Sequence, residues 1–421
     1  MVIEKLVLVV LVFSIGASGS GKQPPSAAEF NLFCRILTVA NDMILEPDYV
    51  YHENVDREIL NDMEVLYNAT TENMDTFRKT LWETKDFLEA HPPPIGTQNR
   101  REAHREIGRL IKESERKIQE SRQKAVEVNN KIKEARLSAA QGIYGDDVKD
   151  VPKEEGKLTS FLGNTGSIFV NGISAAHSCG NESGAGKTLI NDIFCVCVGE
   201  GRSDSAPPCH DAILPPKKAG KNCGSWSQMK YKKDEDITLN LTESIVKIEG
   251  VCRISLRKTK LTKNIPDLLV EFLEMIGKGD EKVKTNKERR IFGHSGRPVN
   301  RGEVTECTGT GVTGNSGQPD YHNDKMCVDY KNNLNGENNY DIPWHKRFTE
   351  AFGRMNEAKA LEDVILQNHA EILLLKSKAW IAYSREKEDE TTNLDDMNVS
   401  HLFDGSRILY TISFSLLFLI L

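Results

Sequence analysis

Between residues 111 and 139, apolar or small side chains recur on a strict seven-residue repeat: Ile111, Ser114, Ile118, Ser121, Ala125, Val128, Ile132, Ala135 and Ala139. Nearly everything between them is Glu, Lys, Arg, Gln or Asn. Alternating steps of three and four keep one narrow stripe of a helix turned toward a partner helix, so residues 97–139 are predicted to form one long helix with a coiled-coil seam. Small residues at about half of the seam positions let the partner approach closely. A matching stretch over about 344–388 carries Leu361, Ile365, Asn368, Ile372, Leu375, Ala379 and Ala382. Just before it, Phe348, Ala351, Met355 and Ala358 sit three residues out of phase, a stammer that predicts local overwinding.

Two shorter helical stretches come first. Ser26-Ala-Ala-Glu29 reads as a capping box, and Phe30, Phe33, Leu37, Ala40 and Ile44 follow on one stripe until Pro47. A second helix is predicted over about 55–90, with Ile59, Met63 and Leu66 and then, more loosely, Phe77, Leu81 and Leu88. Pro92, Pro93 and Pro94 force a break and permit a reversal.

Residues 145–340 differ in character, being rich in Gly, Asn and Lys and holding all the cysteines except Cys34. Strand-like runs occur at 237–241 and 245–256. One amphipathic helix is predicted over 266–276, with Pro266 in its first turn and Gly277 at its stop. The expected fold class is mainly α: an elongated antiparallel long-helix (coiled-coil) bundle with an inserted disulfide-rich, loop and short-strand lobe. The stalk would be residues 26–140 and 342–388 and the lobe 145–340, the lobe relying on cross-links for want of a large apolar core.

Both ends carry targeting signals. Lys5 precedes an apolar run at 6–15 and small residues at 16–21, which reads as a secretory signal over 1–20, an N-terminal membrane anchor being the alternative. Residues 408–421 (ILYTISFSLLFLIL) are apolar to the last residue and short of the ~20 that a spanning helix needs. Asp404, Gly405 and Ser406 before them suit the small-residue attachment triplet of a glycosylphosphatidylinositol (GPI) anchor. Asp404 is the favoured attachment residue. Asn398 is the alternative, with a longer spacer and a bulkier triplet, and a single-pass anchor is the runner-up for the tail as a whole. Residues 391–404 would then be a short membrane-proximal linker and 405–421 a removed signal.

The chain has nine cysteines: Cys34, Cys179, Cys195, Cys197, Cys209, Cys223, Cys252, Cys307 and Cys327. In an oxidising secretory route they should form disulfides, and an odd number leaves one unpaired or bridging two chains. Asn68, Asn181, Asn240 and Asn398 head N-glycosylation sequons. A net charge of -7 argues against a nucleic-acid partner.

Residues 183–188 (SGAGKT) resemble the end of a nucleotide-binding phosphate loop. That motif needs Gly at its first position, which here is Asn181, and a helix after it, where LINDIFCVCV (189–198) is as readily a strand. The expected role is a flexible Gly loop closed by a disulfide, with no nucleotide. Cys195, Cys197, Cys209, His210 and Cys223 could be drawn as a zinc cluster, yet their spacings fit no standard finger and the compartment favours disulfides. Cys195 and Cys197 are too close to bridge each other, so each should have a distant partner. The basic run 282–290 (KVKTNKERR) reads as a solvated loop. No constellation of acid, base and nucleophile is spaced for catalysis, and no cofactor, catalytic or metal site is expected.

Taken together, the cleaved signal, the FCRIL start at 33–37, the proline-broken long helices, the cysteine-bearing segment 179–197 and the anchor tail resemble a trypanosome variant surface glycoprotein. The resemblance implies an elongated bundle around two long antiparallel helices, homodimers along them, and a dense GPI-linked coat on the extracellular side of the plasma membrane. That coat would shield a parasite from host antibodies and vary antigenically. Only about 389–404 lies between the last helix and the anchor, without Cys, which implies a form with a reduced C-terminal domain. The alternative is a GPI-anchored receptor with the same helical bundle that binds a host serum protein.

Overall fold

A computed structural model describes residues 24–385 apart from internal stretches, the longest being 201–206, 231–238, 257–263, 279–289, 297–305 and 311–324. The expected signal (1–20), Asn181, Asn398 and Asp404 fall outside the described residues, as does the apolar tail. The helices are α1 (Ala27–Ile44), α2 (Glu53–Ala69), α3 (Lys85–Ala90), α4 (Thr97–Tyr144), α5 (Thr165–Ile168), α6 (Ala175–Cys179), α7 (Leu189–Ile193), α8 (Leu241–Leu256), α9 (Ile265–Met275) and α10 (Pro343–Ser384). Among the described residues, six strands of two or three residues pair two by two. β1 (Lys217–Lys218) with β2 (Lys221–Cys223) and β5 (Ile291–Phe292) with β6 (Val328–Asp329) are antiparallel; β3 (Met229–Lys230) with β4 (Leu239–Asn240) is parallel. The fold is mainly α, a helical bundle with a disulfide-rich lobe.

The chain divides into two compact units, one of residues 1–45 and 137–350, the other of 46–136 and 351–421. Within the second, α4 and α10 run antiparallel. Lys117 meets Asn368 and Glu371, Ser121 meets Asn368, Lys131 meets Glu357, and Glu134 meets Arg354. Each step forward on α4 is thus a step back on α10. The heptad stripe faces inward as its spacing requires: Ser114, Ile118, Ser121, Ala125, Val128 and Ile132 are buried on α4. Ile365, Asn368, Ile372, Leu375, Ala379 and Ala382 answer on α10. Met355 and Leu361, on either side of the stammer, pack in one cluster with Ala358 and Ile365, so the phase shift does not interrupt the seam. Polar seam residues bond one another. Lys117 Nζ donates to Asn368 Oδ1 (3.1 Å), and Asn368 Nδ2 donates to Ser121 Oγ (3.2 Å). A buried amide would otherwise cost free energy.

α2 stops at Ala69, well short of residue 90. The Thr70 hydroxyl donates back to the carbonyls of Tyr67 (2.8 Å) and Leu66 (3.2 Å). Thr71 and Asn73 side chains then accept from the backbone N–H groups of Asn73 and Asp75. Such local bonds compete with helix continuation, so the expected single helix is interrupted after Ala69; residues 75 and 77–79 are helical again, and α3 follows.

In the first unit α1 packs against α8 and α9. Its predicted stripe of Phe30, Phe33, Leu37, Ala40 and Ile44 is buried. Phe272 of α9 sits at the centre of an aromatic cluster, 4.6 Å from Trp344, 4.9 Å from Phe292 and 6.3 Å from Phe33 between ring centroids. At the rim Arg35 donates to both carboxylate oxygens of Glu271, one bond measuring 3.0 Å. Among the described residues four disulfides add cross-links: Cys34–Cys252, Cys179–Cys195, Cys197–Cys209 and Cys307–Cys327.

Two expectations in this unit are corrected. Residues 245–256 are not a strand but most of α8. Ile245, Ile248, Cys252 and Leu256 are buried at steps of three and four, and Cys252 is bonded to α1. Their β-branched neighbours imitate a strand, while burial follows the helical period. The capping box at 26–29 also does not form. Ser26 makes no side-chain cap; its Oγ accepts from His294 N (2.9 Å), and Glu29 Oε1 accepts from Ser295 N (2.8 Å). Both side chains are buried and fasten α1 to the turn after β5.

Candidate functional site

The loop that resembles a phosphate cradle closes on itself. Its Lys187 ammonium donates to the carbonyls of Gly166 (2.7 Å) and Phe169 (2.6 Å), and the Thr188 hydroxyl donates to Ile168 O (3.0 Å). These are the groups that would have to face phosphate and Mg²⁺ in a nucleotide site. Burial lowers the Lys187 pKa, opposed by the charges of Asp147 and Asp146. Gly184 and Gly186 are buried, so the loop is packed, not flexible as its composition suggested. A Cβ on Gly184 would lie 2.4 Å from a Val170 methyl and 2.5 Å from Ser178 Cα. The segment after it is helix, capped by Thr188 Oγ1 accepting from Asn191 N (3.0 Å), and continues as a buried π turn, Phe194–Val198. Strand was the other sequence reading. The helical one wins here because a hydroxyl cap is in place and Leu189–Val198 is enclosed on every side.

The centre of this region is Asp192, fully buried on α7. Oδ1 accepts from Gly186 N (2.9 Å) and Asn191 Nδ2 (3.1 Å); Oδ2 accepts from Tyr330 OH (2.6 Å) and Trp344 Nε1 (2.7 Å). Burial pushes its pKa up to about 6, although all four donors favour the charged form and pull it down. Burial likewise raises the Tyr330 phenol, which therefore stays a donor. The carboxylate ties the glycine loop, the residue after β6 and the start of α10 into one knot. Its lone pairs are used within the chain, so the arrangement is chemistry of folding. Nothing in the sequence flagged Asp192, because its partners lie 138 and 152 positions away.

The other predicted positions are dispersed. Cys179, Cys195, Cys197 and Cys209 are spent in two disulfides, so Cys195 and Cys197 do have separate partners and cannot serve zinc as thiolates. His210 Nδ1 instead accepts from Ala212 N (3.1 Å). Among the described residues no group of three or more His, Cys, Asp or Glu is placed to hold a metal ion. Cys223 ends β2. Asn68 is half-buried on the last turn of α2, beside Tyr67, whose ring stacks 3.8 Å from His104. Asn240 ends β4. The basic run 282–290 lies outside the description save Arg290, whose guanidinium pairs with Asp329 (3.2 Å). Among the described residues no helix is long and apolar enough to cross a membrane.

A long-helix seam and a disulfide-stapled lobe with an internally satisfied glycine loop suit a surface module better than a ligand pocket. The trypanosomal VSG domain matches residues 68–372, well over half of the chain. The chain belongs to the trypanosomal VSG domain family. The match takes in α4, most of α10 and every disulfide except the Cys34 end of one. Among curated proteins none matches the chain. VSG proteins form surface coats, which makes this chain a trypanosome surface coat glycoprotein located at the cell surface.

Proposed function

We propose that the protein is a GPI-anchored unit of a dense coat that sterically shields the parasite from host antibodies and varies antigenically. The observation that carries this reading is the VSG-domain match over residues 68–372. Attachment at Asp404, with Asn398 as the alternative, rests on the small-residue triplet and the short apolar tail. Glycans at Asn68, Asn181, Asn240 and Asn398 would widen the shield. Variation is physically inexpensive on such a frame, because the seam fixes the inward stripe of α4 and α10 while most of the intervening positions are at least partly exposed.

Pairing of two copies along the long helices fits the outer face of α10. Leu366 and Leu373 lie seven residues apart there and are 51% and 44% exposed, with Ala370 between them. An apolar stripe of that kind is stabilised by a second helix.

Treating intact cells with phosphatidylinositol-specific phospholipase C should release the protein as the dominant surface-labelled species. Retention in the membrane would refute the lipid anchor. A scarce protein that recovers a serum ligand would mark a receptor instead of a coat.

A further inference from the structure

Proline-rich residues 91–96 join α3 to α4, and their side chains contrast with the polar flanks of those helices. Ile95 is 92% exposed, more than any other large apolar residue described, and Pro92 in the same loop is exposed. Single exposed apolar residues are common, but this one shares its loop with His91, a member of an aromatic group. The Trp380 ring lies 5.6 Å from Phe87 and 5.2 Å from His91, and all three are only partly covered or exposed. The loop is held in shape. Arg100 Nε donates to Pro94 O (3.3 Å), and Pro94 is buried. The last turn of α10 rests on it, with Tyr383 OH donating to His91 O (2.8 Å).

That hydrogen bond places the patch where α10 hands the chain on toward its C-terminal apolar run. From Ser384 to Asp404 there are 20 residues, which span at most about 70 Å. We propose that the patch of Ile95, Pro92, Phe87, His91 and Trp380 is a membrane-facing foot that seats in the headgroup layer of the bilayer holding the anchor. This rests on the lipid-anchor reading above. Aromatic rings with one wet edge favour the interface between headgroups and acyl chains, and a neighbouring aliphatic side chain inserts deeper. Tethering raises the effective concentration of lipid, so insertion too weak to hold a free protein becomes populated in the anchored one. Three ion pairs flank the patch. Lys85 meets Glu89 (3.6 Å), Arg101 meets Glu72 (3.1 Å), and Arg385 meets Glu106 (3.5 Å). The proposed partner is a zwitterionic headgroup layer.

The test uses the full-length anchored protein in phosphatidylcholine vesicles whose lipids carry a shallow nitroxide quencher. Ile95→Trp reports the foot. Val126→Trp, also exposed at 60%, sits on α4 about 43 Å along the helix from its first residue and serves as control. Subtracting the unsubstituted protein removes the signal of the four native tryptophans. The emission added by Ile95→Trp should be lost, that of Val126→Trp retained, and the lost emission should return once phospholipase C frees the protein. Equal quenching at the two positions overturns the proposal. So does emission at position 95 that neither the nitroxide nor aqueous acrylamide reaches, since another part of the protein would then cover the patch. Failure of phospholipase C to free the protein refutes the anchor alone; the comparison of the two positions still decides the foot.

Discussion

Asn in place of Asp192 separates the two opposing terms that meet at the buried knot. In the native chain the carboxylate receives four hydrogen bonds yet has its pKa raised from 3.8 to about 6 by burial. A folded-state pKa above the unfolded value means that the native state holds the proton more tightly. Between pH 3.8 and about 6 the native state therefore binds more protons than the unfolded chain, and stability falls as pH rises through that window. Just over two units correspond to about 3 kcal/mol, fully present as a penalty at neutral pH and absent below the unfolded value. Asn removes the charge, and with it this penalty, but can offer only one acceptor oxygen. If that oxygen stays with Tyr330 and Trp344, the buried Gly186 N–H is stranded at a cost of about 1–3 kcal/mol. The two terms nearly cancel at pH 7, so absolute stability there is a poor readout and the pH slope is the decisive one. Guanidinium unfolding with disulfides intact, followed by tryptophan emission at pH 7 and pH 4, should show the native protein gaining about 2 kcal/mol relative to Asp192→Asn on acidification, the last part of the penalty being released only below pH 3.8. An unchanged slope in the variant would refute the assignment. Asp192→Ala strands Tyr330 OH, Trp344 Nε1 and Gly186 N–H together and should cost on the order of 5 kcal/mol at pH 7, and about 2 kcal/mol more at pH 4, where the native carboxyl no longer carries its burial penalty.

Other consequences are more local. Removing the Cys34–Cys252 bridge by paired Ser substitutions opens a loop of 218 residues between α1 and α8. It should lower the unfolding free energy by about 2–5 kcal/mol in denaturant melts; no loss would mean that the packing of α1 on α8 and α9 suffices. Gly142→Ala puts a methyl 2.6 Å from Phe348 Cε1, and both sides of that contact are buried. Overpacking of about 1–3 kcal/mol is expected by thermal melting, whereas a neutral result would show that the Phe348 ring can move aside.

The parts of the fold legible in the sequence were those governed by neighbours three and four positions away. The seam from Ser114 to Ala139 and its counterpart from Ile365 to Ala382 are buried where the spacing placed them. The helix now bounded as Ile265–Met275 was within a residue of its expected limits, with Asn264 capping Asp267 N (3.2 Å) and Gly277 at φ 82°. Failures came where local preference and long-range contact compete. The β-branched run 245–256 favoured a strand until a disulfide to α1 and a buried helical stripe decided otherwise. Thr70 ends α2 through its own hydroxyl, a signal present in the sequence but weaker than the apolar spacing that runs past it. The SGAGKT match misled for the same reason that it was noticed: glycines permit close backbone approach, and here the approaching groups belong to the protein itself.

By itself the sequence determined that two long helices must exist, which stripe of each turns inward, and where prolines break the chain, because helical periodicity is a property of consecutive residues. Tertiary structure alone decided the partner of each cysteine, the diversion of Ser26 and Glu29 from a cap to the turn at 294–295, and the gathering of Gly186, Tyr330 and Trp344 around Asp192. Those outcomes depend on which distant surfaces meet once the seam and the lobe have folded, and on the cost of leaving a buried donor or acceptor without a mate.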